Sequence, residues 1–445
     1  MSIPSPPNSL APATGSVWFA TPRFRAVVVV LLVAVGLGEG VVAVFLRVND
    51  VANHYHQGQR ILFPDPDATA ESYRYVPYPA GRATLNALLA WLPYRLFRAT
   101  LYLLSIASLV GSFALWDRMA AAYRPIRPEA RFAAGVSTVV LLSPWVVRDL
   151  DDCGTQLLLL FMLSVCVFLW ERGRDRAAGV WLGVAIAYKA TPLLLVPFAV
   201  LTGRWRAAAV SLAVAVALCF SPALFIGWDG AVELNAEFAA VTLANSRIED
   251  PSLNGFEPPR HKNQSLILAL ARLLQTYPPG HPLYLPDPLF VQFLDLPPAT
   301  AGVIAKTVVL TGLVLFGWRI GRKAWQGGRG ADLVPEWAAL CLLCAILSPI
   351  CWGPHLTLAI PAAFLVLRDG YDRLARGKWP RRRDTAGVVV IAGLVLGLPR
   401  ELIGQDRSIL VLSYKVYTLA AVILLALVLT RPPHVADDDR RLADG

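Results

Sequence analysis

Two stretches of this chain, AVVVVLLVAVGLGEGVVAVFL (26–46) and AAAVSLAVAVALCFSPALFIG (207–227), are apolar for the full thickness of a lipid bilayer. Runs of about 20 apolar residues with few charges read as transmembrane helices. Shorter apolar runs follow one another along most of the remaining sequence. The composition agrees: 56% of the residues are hydrophobic and 16% are charged, where a soluble domain carries about 25% charge. A water-soluble globule of this composition would lack the polar surface to cover its core. Disorder is excluded outside the two ends, because Leu, Val, Ala and Ile dominate. The expected fold is therefore all-α, a polytopic transmembrane helical bundle.

Further spans are expected near 100–117, 132–147, 154–170, 177–188, 190–202, 207–227, 301–319, 335–351, 354–367, 385–399 and 409–430, twelve in all with the first. Loop charge sets the orientation. Arg23 and Arg25 precede the first run, Arg118 to Arg131 follow the second, and RDGYDRLARGKWPRRRD (368–384) follows the tenth. Every even connection is basic, so both termini are expected in the cytoplasm. The net charge of +10 thus belongs to membrane topology and not to nucleic-acid binding. The domain plan is a disordered tail over 1–22, one transmembrane unit over 23–430, and a second cytoplasmic tail over 431–445. Two large outer loops, 47–99 and 228–300, carry Asp, Tyr, Trp, His and Asn in place of clustered Arg. A site is expected on that face, in a multi-pass protein of the plasma or inner membrane.

Several polar residues sit where they are costly. Asp50 ends the first span at the outer boundary, placed to act as a base or to cap the helix beside Arg47. Tyr75 and Tyr78 follow in the same loop, suited to stacking on a sugar or to the interfacial aromatic belt. Asp149, Asp151 and Asp152 stand at the outer end of the third span, either to contact a substrate or to pair with Arg148. Lys189, at a hinge before Pro192, marks a functional contact by default, with a phosphate as its natural partner. Lys306 and Lys415 read as snorkelling side chains. Glu39, in mid-span, needs an internal partner. His355 follows Pro349, Gly353 and Pro354, and backbone broken at membrane depth normally lines a cavity. Asn263-Gln264-Ser265 opens an amphipathic segment, with Asn263 a possible helix N-cap. Cys341 and Cys344 lie inside a span, where free Cys packs as a small hydrophobe. No metal-ligand cluster is expected.

Four stretches together resemble glycosyltransferase family 87 of the C superfamily: Asp50 with Tyr55 and Gly58, YKATPLLLVPFAVLTGRWR, NQSL and LSPICWGPHL. They run in the family's order over nearly the whole chain. Where the family pattern has Gly-Gln-x-Asn this chain has CGTQLL, with Gln156; Lys189 is followed by Ala, and Gly353-Pro354 precedes His355. The resemblance implies a C-type membrane glycosyltransferase using a polyprenyl-phosphate sugar, mannose favoured, and a lipid or glycan acceptor. Asp50 corresponds to the family's catalytic base. Lys189 and His355 would hold the donor phosphate. Tyr55, Tyr75, Asp151, Asp152, Gln156, Asn263, Gln264 and Ser265 would contact substrate. Inversion and no cofactor are expected. The alternative is a transporter or flippase of lipid-linked sugars or other anions, using the same cavity.

Overall fold

The computed structural model describes residues 21–47, 51–64, 78–245, 261–276, 292–326 and 330–431. All regular structure among them is helical. In chain order the helices are α1 (Pro22–Val41), α2 (Val51–Leu62), α3 (Gly81–Ala90), α4 (Tyr94–Tyr123), α5 (Pro128–Leu141), α6 (Ser143–Asp151), α7 (Thr155–Glu171), α8 (Asp175–Tyr188), α9 (Leu195–Leu201) and α10 (Trp205–Phe220). There follow α11 (Ala223–Asn245), α12 (Leu266–Leu274), α13 (Pro298–Trp325), α14 (Val334–Ile346), α15 (Ile360–Ala375), α16 (Arg382–Leu396), α17 (Arg400–Ile403), α18 (Gln405–Ser413) and α19 (Val416–Leu429).

The helices start and stop where local chemistry dictates. Thr21 caps α1, its hydroxyl accepting from Phe24 N–H at 3.3 Å, with Pro22 in the first turn. Proline is at home there because the first N–H groups have no helical partner. At its far end α1 loosens into a π-turn over Val42–Leu46. One guanidinium nitrogen of Arg98, on α4, catches two carbonyls there, those of Ala43 and, at 2.6 Å, of Arg47. A cation at a helix C-terminus also meets the negative end of the dipole.

Among the described residues three helices are long and apolar enough to cross a membrane: Pro22–Leu46, Tyr94–Tyr123 and Pro298–Trp325. Three further pairs qualify if each bent pair is one span: Pro128–Leu141 with Ser143–Asp151 (68°), Trp205–Phe220 with Ala223–Leu243 (100°) and Gln405–Ser413 with Val416–Leu429 (51°). The count is thus three to six by length, against twelve apolar runs in the sequence. The difference has a physical cause. A helix surrounded by protein satisfies its backbone internally and need not match the bilayer. All of α14 is buried, yet it runs only from Val334 to Ile346. By contrast α1 leaves Val30 65% and Leu37 69% exposed, as a helix facing lipid tails would.

The core gathers around α7, α14, α15 and α19. Trp170 and Trp337 pack with ring centres 5.2 Å apart, and Trp337 donates to Glu171 at 2.8 Å. Cys341 and Cys344 lie in this core as small apolar residues. Helix α8 packs along α10, and α4 along α7. At one end of α8 and α10, Asp175 pairs with Arg204 at 3.0 Å. At the other end Ser221 meets Thr84 of α3 at 2.9 Å, and Lys189 follows α8 at that same end.

Candidate active site

Asp149 organises the first part of the site. The chain turns sharply after α6, with Cys153 and Gly154 both at positive φ (58° and 72°). A Cβ on Gly154 would lie 1.9 Å from Ser105 Oγ, so glycine is required for both conformation and space. The turn delivers the N–H groups of Gln156 and Leu157 to the Asp149 carboxylate at 3.1 and 2.9 Å. Asp149 is therefore committed to the N-terminus of α7. Gln156 is held in place, and its Oε1 accepts from Lys189 Nζ at 3.0 Å. Lys189 is buried and extended (φ −154°, ψ 131°) at the end of α8. The following turn, Thr191–Leu194, contains Pro192, which cannot donate to the carbonyl of Tyr188. The hinge read from the sequence is present, and the lysine points inward.

His355 comes from the segment after α14. After α14 the chain breaks at Pro349 and resumes as a 3₁₀ turn over Gly353–Ala359. Trp352 N–H donates to His355 Nδ1 at 3.0 Å, and the two rings lie parallel at 6.2 Å. With Nδ1 accepting, the neutral ring carries its proton on Nε2, which becomes a hydrogen-bond donor. Lys189 and Arg82 both lie within electrostatic range of this imidazole.

Asn263-Gln264-Ser265 supports that break. Asn263 Oδ1 accepts from Cys351 N–H at 3.0 Å and from Ser265 N–H at 3.1 Å, while its Nδ2 donates to Pro349 O at 2.9 Å. Asn263 does not cap α12, whose N-cap is Ser265. Gln264 donates to His261 O (2.9 Å) and Leu412 O (3.0 Å), and its backbone N–H to Cys351 O (2.5 Å). The described contacts of Asn263 and Gln264 are to protein backbone and to Thr418. Lys415 joins them with Nζ on Asn263 O, and only 4% of it is exposed. The expectation of snorkelling is corrected for Lys415: its carbonyl partner lies inside the fold. Lys306 is exposed.

Arg82 escaped the sequence reading. It opens α3, is fully buried, and lies with its guanidinium carbon 3.6 Å from the Tyr78 ring centre and 4.3 Å from that of Tyr188. Nη2 reaches His54 Nε2 at 3.1 Å and Tyr188 OH at 3.4 Å. Among the described residues Nε and Nη1 have no hydrogen-bond partner. Burial and the Arg82 charge hold His54 well below the usual imidazole range, so it accepts as a neutral base. The signal was available: an arginine directly ahead of the apolar stretch ATLNALLAWL is a charge at a costly depth.

Other expected residues sit elsewhere. Asp151 pairs with Arg47 and, at 3.9 Å, with Arg148. Glu39 faces the same Asp151 and Arg47, which supplies the partner its mid-span position demanded. Asp152 is half-buried on the turn before α7. Tyr55 packs against Tyr94 and Phe97 with ring centres 5.1 and 5.2 Å away, and its hydroxyl accepts from Gln59 at 3.1 Å. Gly58 lets α2 cross α3, since a Cβ there would lie 2.6 Å from that of Ala90. Asp50 and Tyr75 lie outside the described residues, as do most of both terminal tails.

The family model of glycosyltransferase family 87 matches residues 75–349, more than half of the chain. The chain belongs to glycosyltransferase family 87. The matched region holds Arg82, Gln156, Lys189 and Asn263–Ser265, while Asp50, Tyr55 and His355 fall outside it. No curated protein matches the chain. The protein is thus a glycosyltransferase with helices long and apolar enough to cross a membrane.

Proposed function

We propose that this glycosyltransferase moves a sugar, mannose favoured, from a polyprenyl-phosphate donor to a lipid or glycan acceptor at the extracytoplasmic face of the cell membrane. The scaffold would be a C-type bundle of about twelve spans with both termini cytoplasmic, counted from its apolar runs and basic loops. One observation carries the reading: Lys189, buried and held on Gln156, shares its end of the bundle with Arg82 and His355. Neither cation has a carboxylate oxygen within 4.0 Å among the described residues, and an anionic substrate would complete them.

The leaving group is already a phosphate ester, so the step needs a base on the acceptor and positive charge on the departing oxygen. Asp50 takes the acceptor proton as the hydroxyl oxygen bonds to the anomeric carbon. The carbon–oxygen bond to phosphate breaks, and its electron pair stays on the phosphate. Lys189 Nζ and His355 Nε2 are the proposed donors to that phosphate. A single displacement inverts the anomeric centre, and no metal or cofactor is required.

The test is sugar transfer by the purified full chain from synthetic polyprenyl-phosphate mannose, with Asp50→Asn beside it. A positioned base contributes about 10²–10⁴-fold, so the variant should lose at least 100-fold in rate while still binding donor. Donor binding and lipid translocation without any transfer would replace the enzyme reading by the transporter.

A further inference from the structure

Resting on the proposed donor, the charge arrangement around Lys189 carries one step more. A phosphodiester donor brings a single negative charge. The released polyprenyl phosphate is a monoester with a second ionisation near about pH 6, so at neutral pH it carries close to two. During transfer the acceptor proton leaves with Asp50, and the extra negative charge appears on the phosphate. What faces that phosphate therefore decides which of the two lipids is held more tightly.

Arg82 and Lys189 are both buried and lie within electrostatic range of each other. Among the described residues the acid in range of Lys189 is Asp149, and its oxygens are engaged by the N–H groups of Gln156 and Leu157 at the positive end of α7. Arg82 has Tyr78 and Tyr188 on its faces and neutral His54 at its edge, none of which supplies a negative charge. Among the described residues its Nε and Nη1 have no partner although the residue is wholly enclosed. With no counter-ion among the described residues, this buried charge is expensive and acts over distance where the dielectric is low. We infer that Arg82 and Lys189 form a two-cation seat matched to the dianionic polyprenyl phosphate, so that the enzyme holds its leaving lipid more tightly than its donor. Lys189 touches the phosphate. Arg82 is a positioning residue that acts through its field. Stronger binding of the charge present only after bond cleavage favours the transition state. Its consequence is slow release, with free polyprenyl phosphate a product inhibitor.

The experiment compares two lipids of equal chain length, polyprenyl phosphate and polyprenyl-phosphate mannose, binding to the full chain in nanodiscs at about pH 7. Wild type should hold the monoester at least tenfold more tightly. Arg82→Gln should bring the two within about threefold, and Arg82→Lys should restore most of the preference, which a merely structural arginine would not do. Lys189→Gln is a second variant with the same expected loss. Equal affinities in wild type, or an undiminished preference in folded Arg82→Gln, would overturn the inference while leaving transfer from the mannose donor intact. Transfer absent and neither lipid bound would overturn both the inference and the proposed function.

Discussion

Lys415 Nζ donates a 2.6 Å hydrogen bond to the backbone carbonyl of Asn263. The two residues stand 152 positions apart, and their contact closes a joint between three interrupted elements. Lys415 itself adopts φ 57° at the 51° bend between α18 and α19. Asn263 holds the Pro349–Cys351 break on its amide, and Trp352 at the end of that break holds the His355 ring. The Asn-Gln-Ser segment therefore reaches the site through His355.

Removing the amide should loosen this joint in a graded way. Asn263→Ala strands Cys351 N–H, Ser265 N–H and Pro349 C=O, and an unmet buried group costs about 1–3 kcal/mol. The loss should be several kcal/mol, read as a lower melting temperature in detergent. Asn263→Asp keeps both acceptor contacts and should fall between.

The tether on Lys189 separates charge from placement. Lys189→Met removes a charge-assisted contact worth about 1.5–3 kcal/mol, so donor affinity should drop about 10- to 100-fold. Gln156→Leu leaves the ammonium but frees it from its 3.0 Å acceptor. It should weaken donor use by a smaller factor, which titration of donor in initial-rate assays will separate.

His54 predicts an acid sensitivity. Its folded-state pKa lies below the unfolded value of 6.5, so the native protein binds fewer protons than the unfolded chain as pH falls through that value. Stability is full above about pH 6.5 and declines below it, by about 1 kcal/mol at one unit lower. Unfolding measured at pH 7.5 and 5.5 should show this decline, and His54→Gln should abolish that portion.

Helix crossing at Gly58 predicts intolerance of one methyl group. A Cβ would sit 2.6 Å from Ala90 Cβ and 2.9 Å from the Asn86 carbonyl carbon. Gly58→Ala should cost about 1–3 kcal/mol through overpacking, visible in thermal stability. Ala90→Gly in the same chain should recover part of it.

Topology is checked by chemistry from each side. In a background lacking the six native cysteines, Asn245→Cys should react with an impermeant thiol reagent added outside intact cells. Reaction only from the cytoplasmic side would reverse the orientation.

The sequence by itself determined the class of molecule. Apolar run length dictates apolar helices of membrane-spanning length, because it depends on neighbours within a few residues, and their sidedness rests on the Arg-rich connections alone. Proline and glycine act equally locally, so the Lys189 hinge and the break before His355 were legible. Membership of the family was legible in four short motifs, although the role of Asp50 stays with the sequence alone because it lies outside the described residues. The tertiary structure decided what depends on distant partners. Asp149 turned to the α7 N-terminus and Asp151 to Arg47, the Asn-Gln-Ser segment became a joint, and Lys415 faced inward. Burial between neighbours also decided that helices as short as α14 need not match the bilayer. Arg82 is the sharpest case: its cost comes from enclosure by Tyr78, Tyr188 and His54, and enclosure is a property of the packed chain, invisible along its length.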